Sequence, residues 1–305
     1  MSTSIFPDAA QAAQQFHTLR DILRWAVSLF NVHELQYGQG TDNAWDEAVY
    51  LGLSALRLPV DMLEPFLDAQ LAPSERQHLC QLMEQRVSSR LPAAYLLGEA
   101  WLQGYRFHIT QDCIIPRSPI AELLVQQLSP WIAEPDAPLQ IMDLCTGSGC
   151  LAIIAALHFP HAQVNAVDIS AQALAVAQKN IADYDLHTRV HTIQSDLFAA
   201  VPVERHDLII CNPPYVNSSS MQQLPAEFRH EPALALAGGD DGMDLVRKIL
   251  QQVPPYLSNN GLLILEIGHE YDHFMRAFPA LEPIWLSTAN AEDQILLLHK
   301  EQLLT

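Results

Sequence analysis

The chain has 305 residues, 49% of them hydrophobic, and sets 16 Lys and Arg against 35 Asp and Glu for a formal net charge of −19. That length suggests two domains with real cores, which excludes a chain disordered over most of its length. The acid excess excludes a broad electrostatic grip on DNA or RNA, because neutralising phosphates takes clustered Lys and Arg and only Lys179, Lys248 and Lys300 supply lysine.

No apolar run reaches the ~18 residues of a membrane-spanning helix. The start, MSTSIFPDAAQAAQQF, has neither the basic n-region nor the apolar h-region of a secretion signal. Five cysteines (Cys80, Cys113, Cys145, Cys150 and Cys211) are an odd number without CxxC spacing. They read as reduced buried thiols, and so as a cytoplasmic protein.

Residues 1–100 carry helical periodicity. Leu19, Ile22, Leu23, Ala26, Val27 and Phe30 recur at three- and four-residue steps, as do Leu79, Leu82, Met83 and Val87. This third predicts a small helical domain. The polar stretch Thr41 to Glu47, TDNAWDE, offers Trp45 to a substrate or else is a helix start with Asn43 as its cap, the reading the spacing favours. Over 101–119 short alternating stretches, YRFHIT and then CIIP, predict a hairpin connector.

From residue 120 to 305 short apolar runs (QIMDL, VNAVDI, RVHTIQSD, HDLIICN, GLLILEI) alternate with helical ones and close on a strand pair around IWLST and QILLLH. The pattern predicts an α/β fold, a mostly parallel sheet with helices on both faces, with ligands bound beyond the carboxyl ends of the strands.

Chemistry-bearing residues collect at those ends. The first strand runs into Asp143, Cys145, Thr146, Gly147, Ser148 and Gly149 before a helix. The two glycines permit a tight turn and close backbone approach, and the new helix offers free N–H groups. A turn pair without a ligand is the alternative. Asp168 ends the next strand, where a carboxylate accepts from both hydroxyls of a ribose or caps the helix after Ser170. Asp196 ends the third and suits an adenine amino group, with Leu197 packing on the ring. Adenosine occurs in both NAD and S-adenosylmethionine, so the fourth strand, ending in Asn212, Pro213, Pro214 and Tyr215, must discriminate. The prolines fix the backbone, and the Asn212 and Pro213 carbonyls make a pair of acceptors for a planar NH2 group.

N-P-P-Y after the fourth strand, with D-L-x-T-G-S-G after the first, resembles the class I methyltransferases that alkylate planar amino groups. Pro116-Arg117 with Glu122, and His230-Glu231-Pro232 followed by Gly-Gly-Asp-Asp-Gly, resemble the protein glutamine N(5)-methyltransferase (HemK-like) family over nearly the whole chain. Thr41 to Glu47, Ser118-Pro119-Ile120, and Cys145 in place of a glycine resemble its bacterial branch acting on ribosomal protein L-three, with the release-factor branch close by.

The resemblance implies a Rossmann-like, seven-stranded class I fold behind a helical substrate-recognition domain. It places S-adenosylmethionine on Asp143, Cys145, Thr146, Gly147, Ser148, Gly149, Asp168, Asp196, Leu197 (or Phe198) and Asn212. Catalysis falls to Asn212, Pro213, Pro214 and Tyr215, with Arg117 and Glu231 as candidate substrate contacts. The partner is a basic ribosomal protein, whose attraction to an acidic enzyme weakens with salt; no nucleic acid substrate and no membrane are expected. An adenine N(6)-methyltransferase is the alternative activity.

His269-Glu270-Tyr271-Asp272-His273 matches the H-E-x-x-H zinc spacing. Gly268 and the apolar run before it place His269 at a strand-to-helix junction instead, and no metal is expected.

Overall fold

The computed structural model describes residues 5–304 and divides into two compact units. One comprises the described residues up to Glu99 together with Leu224–His230; the other comprises Ala100–Gln223 and the described residues from Glu231 on.

The first unit is built from α1 (Ala9–Gln15), α2 (Leu19–Val32), α3 (Ala44–Ala55), α4 (Pro73–Ser89) and α5 (Ala93–Leu97). Thr18 starts α2 by accepting the Asp21 N–H while the Asp21 carboxylate accepts the Thr18 N–H, a reciprocal cap. The stripe Leu19, Ile22, Leu23, Ala26 and Phe30 is then fully buried against α3 and α4, whereas Val27 is half-exposed. Asn43 caps α3 by accepting the N–H groups of Trp45 and Asp46 at 3.0 Å each, so the TDNAWDE stretch is a helix start, with Trp45 exposed. At the centre lies an ionic cluster: Arg86 donates to Glu47 at 2.5 Å, Thr41 donates to the other Glu47 oxygen, and Glu227 lies 3.8 Å from Arg86 and 2.9 Å from Arg90. These pairs are why a segment 137 residues further along the chain belongs to this unit.

In the second unit the hairpin β1 (Glu99–Leu102) and β2 (Tyr105–His108) precedes α6 (Ile120–Val125). There follow β3 (Gln140–Leu144), α7 (Cys150–His158), β4 (Gln163–Asp168), α8 (Ala171–Asp183), β5 (Val190–Gln194), β6 (His206–Cys211) and α9 (Ser218–Gln222). The chain ends with α10 (Asp244–Gln252), β7 (Leu257–Glu266), α11 (Tyr271–Ala277), β8 (Ile284–Thr288) and β9 (Ala291–His299).

The seven-stranded sheet has the order β5-β4-β3-β6-β7-β9-β8, parallel except at β9. Alternate residues feed opposite cores: Leu208 and Ile210 join α6 and α7, while Ile209 and Cys211 join α10 and α11. Burial on both faces explains the near-continuous apolar runs. The strand order reverses at β3 and β6, where Leu144 pairs with Cys211, so the segments starting at Cys145 and Asn212 leave the sheet side by side. No helix among the described residues is long and apolar enough to cross a membrane.

Candidate active site

The loop after β3 is held from behind. Asp143 is buried, and one of its oxygens accepts the Thr146 hydroxyl and the Ala152 N–H, which closes the turn onto α7. Its other oxygen, Oδ1, has no hydrogen-bond partner among the described residues, and burial pushes the carboxyl up to about 7. Cys145 sits at φ 63 and Gly149 at φ 79, both left-handed. At Gly149 a Cβ would come within 3.3 Å of the Ala177 backbone, so α8 packs where only glycine fits. Asn180 of α8 donates to the Ser148 carbonyl at 2.9 Å and exchanges two hydrogen bonds with the His108 backbone, tying loop and connector together.

At the end of β4, Asp168 accepts the Gly147 N–H at 2.8 Å through one oxygen and the Ser170 N–H at 2.9 Å through the other. The cap of α8 is the Ser170 hydroxyl, which accepts from Ala173, so Asp168 is not the capping residue. Each Asp168 oxygen keeps a lone pair for a ligand, and burial pushes this carboxyl up as well. Beyond β5, Asp196 is exposed and its carboxylate makes no hydrogen bond among the described residues. Leu197, at φ 48, turns into a cavity, whereas Phe198 stacks on Tyr256 with ring centroids 4.5 Å apart in the core.

After β6, Asn212 and Pro214 line that same cavity, and the Asn212 amide has no side-chain hydrogen bond among the described residues. No backbone N–H among them donates to the Pro213 carbonyl. Tyr215 points its hydroxyl at Glu266, 2.9 Å away, and burial with this neighbour raises the phenol well above its usual range. It therefore stays protonated and does not serve as a base.

The cavity holds about 290 Å³. Cys145, Gly147, Asp168, Asp196, Leu197, Asn212 and Pro214 face it; Asp143, Thr146, Ser148, Gly149, Pro213 and Tyr215 do not and shape it from behind. Gln111, Asp112 and Ile114 from the connector also line it, as do Pro232, Leu234 and Ala235 from the long loop and Leu245 from α10. Pro232 belongs to the His230-Glu231-Pro232 stretch, whereas the other six belong to no motif read in the sequence. Arg117 and Glu231 are brought together outside the cavity. Glu231 is buried, takes both arms of Arg117, one at 3.0 Å, and also accepts the Ile115 N–H at 2.9 Å. Its oxygens are spent on fastening connector to loop. Glu122 accepts the Ala289 N–H at the surface.

Among the described residues, three carboxylates, Asp112, Asp168 and Asp196, and no Lys, Arg or His line the cavity. Such walls suit a cationic nucleoside and oppose the pyrophosphate of a dinucleotide. Of the two histidines and the glutamate of the H-E-x-x-H stretch, His273 alone lies in α11; His269 precedes the helix and Glu270 is its cap residue, so the two imidazoles do not share a helical face. Glu270 is occupied with Asn217, at 2.7 Å, and with His273.

The methyltransferase small domain family matches residues 120–241. A ribosomal protein uL3 glutamine methyltransferase of Bordetella pertussis is 60% identical over 96% of this chain and 98% of its own length. Proteins of the same name from Burkholderia pseudomallei and Neisseria gonorrhoeae are 50% and 48% identical, covering 94% and 96% of this chain and 96% and 98% of theirs.

Proposed function

The chain belongs to the ribosomal protein uL3 glutamine methyltransferase family, and from that premise we propose that it transfers the methyl group of S-adenosylmethionine to the side-chain amide nitrogen of a glutamine in ribosomal protein uL3. The carrying observation is that Asn212, with its amide unspent, opens onto the same cavity as the acids at two other strand ends.

The residues present fit the cofactor. Asp168 has lone pairs for two ribose hydroxyls, Asp196 has a free carboxylate for the adenine amino group, and Leu197 offers an apolar face to the ring. Cys145 and Gly147 face the amino-acid end, and the acidic lining suits a ligand that carries a sulfonium and an ammonium. The cofactor supplies an electrophilic methyl group.

An amide nitrogen is a weak nucleophile because its lone pair is delocalised. Asn212 accepts one hydrogen of the glutamine NH2 and the Pro213 carbonyl, which no backbone N–H among the described residues engages, accepts the other; together they orient the nitrogen and favour charge moving onto it as the N–C bond forms and the methyl–sulfur bond breaks. Pro213 and Pro214 hold these acceptors with little freedom. Positioning of this kind contributes up to ~7–11 kcal/mol in favourable systems. The nitrogen gains a methyl group, and one of its own two hydrogens then leaves as a proton to water, so no general base is required beforehand.

In this reading the helical unit recognises the substrate. A cytoplasmic location accords with a ribosomal protein as substrate and with five free thiols, Cys80, Cys113, Cys145, Cys150 and Cys211. Radiolabelled S-adenosylmethionine, offered with purified uL3, with release factor and with DNA in separate reactions, tests the proposal. Label should enter uL3 at a glutamine. Label entering DNA alone, or release factor alone, overturns it.

A further inference from the structure

Tyr215 is fixed from every side by groups that the NPPY motif does not contain. Its hydroxyl donates to Glu266 Oε1 at 2.9 Å. Its ring occupies space that only a glycine leaves free, because a Cβ on Gly268 would lie 2.4 Å from Tyr215 Cε2. Its backbone is approached equally closely by Gly238 and Gly242, where added Cβ atoms would lie 2.7 Å from Tyr215 Cα and 2.3 Å from its carbonyl oxygen.

Glu266, the last residue of β7, is the hub. It is buried, and its second oxygen accepts the hydroxyl of Ser118, a buried residue of the connector. With both oxygens engaged and no place in the cavity lining, Glu266 has no direct route to substrate or cofactor.

We infer that Glu266 is a positioning residue for methyl transfer, acting through Tyr215 on Asn212. The lever is the pair of prolines between them. Fixed proline φ angles allow the Pro213-Pro214 backbone little slack, so displacement of Tyr215 moves Asn212. A misplacement near 1 Å costs about 100-fold in rate. A carboxylate suits the post because two hydroxyl donors converge on it, one on each oxygen.

The inference rests on the proposed glutamine methylation, and the test separates the two. Initial rates are measured with saturating uL3 and cofactor, alongside equilibrium cofactor binding and thermal unfolding, for wild type, E266A, E266Q, G268A, Y215F and the E266A/Y215F pair. E266A should lower kcat by about 30- to 100-fold while cofactor Kd changes less than about twofold. E266Q should recover at least about tenfold of that loss, because hydroxyls can rotate to accept from the amide. G268A should lower kcat similarly with the carboxylate intact, so the answer survives an E266A protein that fails to fold. In the Y215F background E266A should add less than about threefold, since the link is already cut.

Wild-type kcat in E266A or G268A, affinity for cofactor falling in step with kcat, or full additivity with Y215F would overturn the inference. Wild type that leaves uL3 unlabelled is a failure of the substrate reading instead. The same variants are then compared on whichever substrate wild type does label.

Discussion

Asp168 reaches from the end of β4 to the glycine loop of β3, where its Oδ2 accepts the Gly147 N–H at 2.8 Å. One carboxylate thereby shapes the loop, and in the proposed function the same carboxylate accepts from the ribose. Asp168→Ala should weaken cofactor binding about 100-fold or more, as hydrogen bonds to a charged acceptor are worth about 1.5–3 kcal/mol each. Asp168→Asn should do little better, because its NH2 group would face either the Gly147 or the Ser170 N–H. Titration calorimetry measures both, and tight binding by the asparagine variant would contradict the shared role.

Asn212→Ala should act in the opposite sense. The amide lines the cavity with no side-chain hydrogen bond among the described residues, and the proposed mechanism gives it the acceptor role, so kcat should fall by about two orders of magnitude while cofactor Kd stays within a few-fold. Single-turnover rates with cofactor bound check this. Collapse of cofactor affinity with normal turnover would make Asn212 a ligand contact only.

The sheet was legible because burial on both faces writes strands as apolar runs, and the acids and glycines stood out at their ends. Leu197 and Phe198 could not be separated in advance: both are apolar, and it is the left-handed backbone at Leu197 that sends one to the cavity and the other onto Tyr256. Asp112 and Gln111 lie in an irregular connector where no periodicity assigns a facing. The capture of Glu227 by Arg86 and Arg90 is a non-local charge pairing, which no local pattern encodes. Glu266 did leave a trace, as the single acid within GLLILEI: a charge inside a doubly buried strand must have partners.

Within the helical unit, Arg86 is 1% exposed and depends on Glu47 at 2.5 Å and on Glu227 at 3.8 Å. Glu47→Ala leaves that guanidinium buried with its nearer partner gone, which should destabilise by about 3–5 kcal/mol. Replacing both residues with apolar ones of similar volume should recover most of the loss. Urea unfolding of the full chain reads both, and an unaffected Glu47→Ala protein would show the pair to be dispensable.

Cys145 holds a non-glycine residue at φ 63, a region that costs a side chain about 1–2 kcal/mol. Glycine removes that cost and adds about 0.4–1 kcal/mol of unfolded-chain entropy. Cys145→Gly should therefore raise stability by about 0.5–1 kcal/mol, seen as a modest increase in Tm. A lower Tm would mean that the thiol contributes packing that outweighs its backbone strain.

Asp143 gives the loop a pH dependence of definite sign. Its folded-state carboxyl is pushed up to about 7 by burial, against an ordinary value of 3.8. Between those limits the folded protein keeps a proton that the unfolded chain has released. The stabilising contribution is thus complete below the unfolded value and is lost as pH rises through about 7, at about 1.4 kcal/mol per unit. Asp143→Asn keeps an acceptor for Thr146 and Ala152 and sets its NH2 where Oδ1 has no partner. The variant does not titrate, so its stability relative to wild type should climb from pH 5 to pH 7 and level off above. Urea unfolding of cofactor-free protein across that range measures the difference; parallel pH profiles for the two proteins would mean that Asp143 is ionised in the fold throughout, with Oδ1 satisfied by water.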